Sequence, residues 1–249
     1  MKLLHSNHLL EALTQPEQAR LLAATEAVAL PVRTSLYSAG IRPKYAYFLT
    51  NGIASIVLTA ASGQIAEVGV IGREGLSCAI HLLGTLPILT DCFVQVAGDG
   101  RRLLFTDLET LFNNSQTLRV MVLAFVQMLA INTQQLAACN ALHTVEQRLA
   151  RWLLVVQDRM YTSHYSLTHE FLAEMLVVQR PTLSIAAAAL QREGVIHYRH
   201  GQLTILNRRY LEGSACECYE VSRNLLRRLY ISDDKVPNPP PTQDESIPA

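Results

Sequence analysis

The run Gln179-Arg180-Pro181-Thr182-Leu183-Ser184-Ile185 concentrates side chains suited to reading the edges of bases. The Arg180 guanidinium offers a fork of donors that matches guanine O6 and N7, and Gln179 or Thr182 can bond an adjacent base edge or a phosphate. Ser184 extends the polar set, while Ile185 can offer only apolar contact, such as to a thymine methyl. Upstream, the Thr168 hydroxyl is placed to touch the phosphate backbone, which positions a protein without reading sequence. Such chemistry needs one helix end to carry the readers and another to fix its height above the duplex.

Residues 167–196, LTHEFLAEMLVVQRPTLSIAAAALQREGVI, supply both. Thr168 is a suitable N-cap, Glu170 places negative charge in the first turn, and Leu172, Met175 and Leu176 form an apolar stripe. In the second helix Pro181 falls in the first turn, where its missing N–H costs nothing; Leu183, Ala186, Ala187 and Leu190 recur at three and four residues, and Gly194 stops it. Ala173 is small enough for two crossing helices to approach. The segment predicts a helix-turn-helix, and His197 to Leu206, two short strands around His200-Gly201, predict a wing.

At these residues the chain resembles the Crp/Fnr family of bacterial transcription regulators. The family's second helix typically begins S-R-E-T-V-x-R; Arg180 and Thr182 match it, whereas Pro181 and Ile185 replace its glutamate and second arginine. Val177 stands at a turn position often held by glycine, where a positive φ would strain a β-branched residue.

Between Leu30 and Ala97 the chain has a β texture. Runs at 35–37, 46–49, 53–59, 65–71 and 92–97 are separated by Ala39-Gly40, Asn51-Gly52, Ser62-Gly63 and Gly98-Asp99-Gly100, as in a small antiparallel barrel or jelly roll. The stretches LYSAGIRPKYAYFLTNGIASIVLT and VGVIGREGL extend the resemblance, which covers roughly residues 8 to 212, to the cyclic-nucleotide-binding-like sensor β-roll, a double-stranded β-helix. The resemblance places an effector pocket at Val70, Arg73, Glu74, Gly75, His81, Thr90 and Asp91. Cyclic-nucleotide-binding members neutralise the phosphate with an arginine, and a buried anion without such a donor is costly. Here Leu89-Thr90-Asp91 occupies that place, which argues against ordinary cyclic AMP or GMP binding. Before Cys78 there is no cysteine to form an N-terminal iron–sulfur cluster.

From Asp107 to about Asn140 the pattern is helical. Leu118, Val122, Phe125, Leu129, Asn132, Leu136 and Cys139 alternate spacings of four and three, predicting a dimer seam with Asn132 fixing its register. A short hinge at 141–144 precedes a helix at 145–160, in which Leu149, Trp152, Leu153 and Val156 form the buried face. Residues 8–29 read as one or two small helices broken at Gln15-Pro16-Glu17, and 215–230 as a final amphipathic helix. The Pro-rich end is expected to be disordered.

About half of the 249 residues are apolar, 49%, enough for a sizeable core, and formal charge is zero. Residues 143–212 carry eight Lys and Arg against six Asp and Glu, a mild excess, so the nucleic-acid argument rests on the motif. Residues 1–13 contain no signal-peptide core, and the apolar run 120–131, interrupted by Gln127, is too short for a membrane span. Five scattered cysteines, Cys78, Cys92, Cys139, Cys216 and Cys218, fit a reducing compartment. Cys216 and Cys218 have no second ligand pair at metal spacing and read as packed or exposed thiols.

The expectation is an α+β chain: a sensor β-roll with dimerisation helix (1–142), a winged helix-turn-helix (143–212), and a C-terminal helix and tail (213–249). It would be a cytoplasmic homodimer without catalytic residues, metal or cofactor. It would read a pseudo-palindromic operator in double-stranded DNA under a small effector or in a fixed state, meeting RNA polymerase if an activator. A cupin-like metal protein is the rival, weakened by the scarcity of N-terminal histidines. A small-molecule-binding module with a degenerate DNA domain is a second.

Overall fold

The computed structural model describes residues 6–160 and 162–230. Two helices, α1 (His8–Glu11) and α2 (Gln15–Ala23), are followed by strands β1 (Glu26–Leu30), β2 (Ser35–Tyr37), β3 (Tyr45–Leu49), β4 (Ile53–Thr59) and β5 (Ile65–Ile71). After a 3₁₀ turn at Ala79–Leu82 come β6 (Asp91–Val96) and β7 (Gly98–Leu104). One sheet has the order β1-β7-β3 and the other β2-β6-β4-β5. Their shared interior is filled by Leu36, Tyr37, Phe48, Ala54, Ile71, Cys78, Cys92 and Val94.

Two strands of the roll depart from expectation. The helical reading that reached Ala29 ends at Ala23, and β1 takes its place. The Gly98-Asp99-Gly100 run, read as a turn, begins β7, which pairs with both β1 and β3. The glycines serve close approach: a Cβ on Gly98 would collide with the Asn51 backbone, and one on Gly100 would meet Phe48 O at 2.8 Å.

The single long helix expected from residue 107 is two, α3 (Phe105–Asn114) and α4 (Gln116–Leu142). Ser115 breaks it by taking extended dihedrals and accepting the Leu118 N–H with its hydroxyl oxygen. The expected seam is corrected at four of its seven positions. Leu118, Val122, Phe125 and Cys139 are buried within their own chain, and Leu129, Asn132 and Leu136 are half-buried. This face of α4 lies on β5 and the 3₁₀ turn; a Cβ on Gly75 would fall inside the Phe125 ring. A second stripe with the same three-and-four spacing faces outward: Val120, Leu123, Gln127, Ala130, Gln134, Ala137 and Ala141. Both stripes satisfy the heptad rule, and the bulkier one is claimed by the chain's own core. By length and composition the whole of α4, longer than the apolar run 120–131 read from the sequence, could cross a bilayer. In this fold one side of it is committed to the roll.

The chain turns at His143-Thr144, as the hinge reading expects, into α5 (Val145–Met160). Beyond it lie β8 (His164–Ser166), α6 (His169–Met175), α7 (Arg180–Arg192), β9 (Ile196–Arg199) and β10 (Gln202–Ile205). Trp152 anchors their core as expected, surrounded by Leu149, Leu153, Val156, Leu172, Leu183 and Leu190. Strand β8, absent from the sequence reading, makes the wing a sheet of order β8-β10-β9. Two last helices, α8 (Arg208–Ser214) and α9 (Cys218–Tyr230), carry the chain back to the roll, where Leu225, Leu226, Leu229 and Tyr230 pack against its core. The Pro-rich tail lies outside the described residues.

Candidate nucleic-acid interface

Helices α6 and α7 meet at 105°, with Ala173 buried at their crossing. The Thr168 hydroxyl caps α6 by accepting the Phe171 N–H at 3.2 Å. Between the helices Val177 adopts φ +52°, so the turn keeps the left-handed geometry that a glycine would take without strain. The wing turn places His200 at φ +51° and Gly201 at φ +75°, the paired positive values that a tight two-residue hairpin requires.

At the start of α7, Gln179, Arg180, Thr182 and Ile185 are exposed, Ile185 by 73%. Pro181 sits in the first turn, and Leu183, Ala186, Ala187 and Leu190 turn inward. Ser184 differs from the rest of the expected reading set. It is half-buried, and its Oγ lies 3.0 Å from His169 Nδ1. His169 in turn stacks on Tyr198 of the wing, ring centroids 4.3 Å apart, and the Tyr198 hydroxyl donates to Leu167 O at 2.6 Å. Ser184 therefore braces the wing against α7. Burial holds the His169 imidazole below its ordinary value, so it makes this contact as a neutral ring near pH 7.

Arg180 Nη1 pairs with Glu170 Oε1 at 2.8 Å, both side chains more than half exposed. An exposed pair of this kind contributes little and can be exchanged for a base edge. Beside it a groove of about 470 Å³ runs between the β4–β5 turn (Gly63, Gln64) and α6–α7 residues including Glu174, Val177 and Gln179. The reading end of α7 thus faces the roll's hairpin.

The expected effector residues do not form one pocket. Glu74 is buried and its carboxylate is consumed: Oε1 accepts from Arg159 Nε at 2.7 Å, and Oε2 from the Gly72 N–H at 3.1 Å. Arg73 is buried beside it and its carbonyl accepts the His8 N–H, while the Gly75 carbonyl accepts from Asn7 Nδ2 at 2.7 Å. Val70 packs against the α5 cluster. These four residues join the roll to α1, α4 and α5, an assignment that only the tertiary fold reveals. His81 and Thr90 gather instead around Tyr37, with the Tyr37 and His81 rings 4.9 Å apart and the Tyr37 and Thr90 hydroxyls 3.3 Å apart. Asp91 Oδ1 accepts the Ala39 N–H at 3.0 Å. A cavity of about 350 Å³ opens beside His81, lined also by Arg42, Phe105 and Glu109.

A second polar contact, besides Glu74–Arg159, ties the roll to α5. Glu67 on β5 is buried; Oε1 accepts from Trp152 Nε1 at 3.0 Å and Oε2 from the Ser55 hydroxyl at 2.7 Å. Burial pushes its carboxyl up to about 7, against the opposing pull of those bonds and of Arg151 and Arg159. The sequence reading passed over Glu67, since alternation alone does not distinguish an inward glutamate. It also read Cys216 and Cys218 as lacking a second ligand pair. The fold brings both, buried, beside Cys139 and His143.

Residues 147–213 match the Crp-like helix-turn-helix domain family. No curated protein sequence matches the chain. Among solved structures, the chain is similar to FixK2 from Bradyrhizobium japonicum, with a TM-score of 0.65 at 14% identity over 77% of this chain and 98% of that one. A CRP-family transcriptional regulator from Thermus thermophilus gives 0.61 at 20% identity over 78% and 99%. The CLP global regulator of Xanthomonas campestris gives 0.62 at 17% identity over 77% and 99%. The chain therefore has the fold of Crp/Fnr regulators and carries a Crp-like helix-turn-helix.

Proposed function

We propose that this chain, with its Crp-like helix-turn-helix on a Crp/Fnr fold, is a homodimeric transcription regulator that reads a pseudo-palindromic operator in cytoplasmic double-stranded DNA. The observation that carries the reading is the set of exposed side chains at the start of α7, Gln179, Arg180, Thr182 and Ile185, beside a wing braced by His169, Ser184 and Tyr198. A helix-turn-helix of this kind reads two half-sites one helical turn apart, which requires two copies. The outward stripe of α4 supports the pairing: its alanines allow close helix approach, and Val120 and Leu123 supply apolar area at one end.

In the arrangement described, the β4–β5 turn walls the groove beside Arg180 and Glu170. Full entry of α7 into a major groove requires the domain to move about the His143-Thr144 joint, so its docking on the roll is the quantity an effector would bias. The engaged Glu74 and the acidic Asp91 favour an effector other than a cyclic nucleotide held in the usual way. As an activator, the dimer would also contact RNA polymerase.

The test compares two variants on a selected operator and on random DNA at matched salt. Arg180→Ala should weaken specific binding by about 1 to 3 kcal/mol per half-site and relax preference at one guanine. Thr168→Ala should weaken all sequences nearly equally, with melting followed because the cap is lost too. Equal loss on every sequence for Arg180→Ala would make Arg180 a phosphate clamp and overturn this assignment.

A further inference from the structure

The end of α4 and the segment entering α9 bring together three thiols and an imidazole. Cys139 lies on the last turns of α4, His143 is its C-cap residue, and Cys216 and Cys218 flank the start of α9. One ligand atom from each of the four lies within 4.8 Å of the other three. Cys139 Sγ is 3.5 Å from Cys216 Sγ, and His143 Nδ1 is 3.6 Å from Cys218 Sγ. All three cysteines are buried, at most 4% exposed.

These separations suit one kind of occupant. A tetrahedral zinc site, with Zn–S near 2.3 Å and Zn–N near 2.0 Å, has ligand edges of about 3.8 Å between sulfurs and about 3.5 Å between sulfur and nitrogen. A cubane cluster sets its cysteine sulfurs much farther apart than 4.8 Å. Three soft thiolates with one imidazole favour zinc over magnesium, calcium or manganese, and four protein ligands leave no open position, as in structural rather than catalytic sites.

The surroundings are also those of a metal site. His143 Nε2 lies 3.1 Å from Glu217 Oε1, so a carboxylate can hold the ring with Nδ1 free to ligate. Gln135 Nε2 donates to Cys218 Sγ at 3.0 Å. On α5, the Arg148 and Arg151 side chains are buried. Binding Zn²⁺ releases three thiol protons and leaves the site with one net negative charge, which these arginines oppose.

We propose that Cys139, His143, Cys216 and Cys218 form a mononuclear structural zinc site that clips the end of α4 and the α4–α5 joint to the C-terminal helix. The Cys-x₃-His pair occupies one helix face, while the Cys-x-Cys pair comes from more than seventy residues further along. Because α9 also packs on the roll through Leu225, Leu226 and Leu229, the clip ties the roll, the hinge residue His143 and the segment that follows the wing together at the joint itself.

The test uses the full chain, prepared anaerobically under reduction and stripped with chelator, titrated with Co²⁺ and then Zn²⁺. One cobalt per chain should bind with thiolate charge-transfer and tetrahedral d–d absorption, and one zinc should displace it. Cys216→Ser with Cys218→Ser should abolish the d–d bands. If that variant fails to fold, Glu217→Gln decides: its side chain is 74% exposed, and loss of the carboxylate should weaken metal binding about 10-fold or more. Folded wild-type protein without the cobalt bands, a protein isolated with acid-labile sulfide and iron at this site, or a Cys139–Cys216 disulfide in the anaerobic preparation would each overturn the proposal. None of these readouts involves DNA.

Discussion

Replacing Glu67 with Gln should make the protein more stable at pH 8 and leave it nearly unchanged near pH 4. Burial raises the carboxyl from its ordinary 4.5 to about 7. At about 1.4 kcal/mol per pH unit, this gap corresponds to about 3 kcal/mol. Below pH 4.5 both folded and unfolded chains hold the proton, and the contribution is fully present. Between 4.5 and 7 the folded chain keeps a proton that the unfolded chain releases, so stability falls as pH rises; above 7 the loss is complete. Glutamine keeps an acceptor for Trp152 Nε1 and presents an amide N–H toward the Ser55 oxygen, so the variant should lose the slope without losing the bonds. Urea unfolding at several pH values, followed by fluorescence of the single tryptophan, measures the difference directly. All other titratable groups are common to both proteins and cancel. A wild-type minus variant difference that stays constant from pH 4 to 8 would refute the reasoning.

Leu123→Asp, on the outward stripe of α4, should give folded monomers on sedimentation, whereas Phe125→Asp should unfold the roll because its ring fills the space above Gly75. A tight dimer from the first variant would remove the outward seam. Val177→Gly should raise stability by about 1 kcal/mol, since relief of a left-handed β-branched residue exceeds the added freedom of the unfolded chain. A lower melting temperature would show that the Val177 side chain, 51% exposed, contributes more by packing than its conformation costs.

What the sequence made legible was local. The cap at Thr168, the first-turn Pro181, the wing turn at His200-Gly201 and the hinge read at 141–144, of which His143-Thr144 lies outside the helices, all follow from interactions within a few residues. What it hid required knowing which face turns inward. Two heptad stripes on α4 are equivalent by spacing, and only the roll beneath decides that Phe125 is core and Leu123 is surface. The same limit split the effector residues, since nothing near Glu74 in sequence announces Arg159. It also hid the four metal-type ligands, whose two pairs are each unremarkable alone.

Glu74 shows how a shared fold can carry a different role. Its place in the roll is where the family resemblance expects ligand recognition, yet the carboxylate faces Arg159 of the DNA-binding domain, and the pair is at most 5% exposed. The Tyr230 hydroxyl donates to the Glu74 carbonyl, and Tyr230 meets His8 edge-on, so both ends of the described chain converge on the same loop. A buried ion pair adds little net stability over apolar packing, but losing one partner strands a charge at a cost of several kcal/mol. Such a contact specifies an arrangement more than it strengthens one. Any movement that freed α7 from the β4–β5 turn while parting α5 from the roll would have to solvate both Glu74 and Arg159. The Glu67–Trp152 bond imposes a second, smaller requirement of the same kind. The docked state therefore combines apolar packing of Ile53, Val70 and Val96 on α5 with a few polar contacts that must separate together, which favours two discrete domain positions over a continuum.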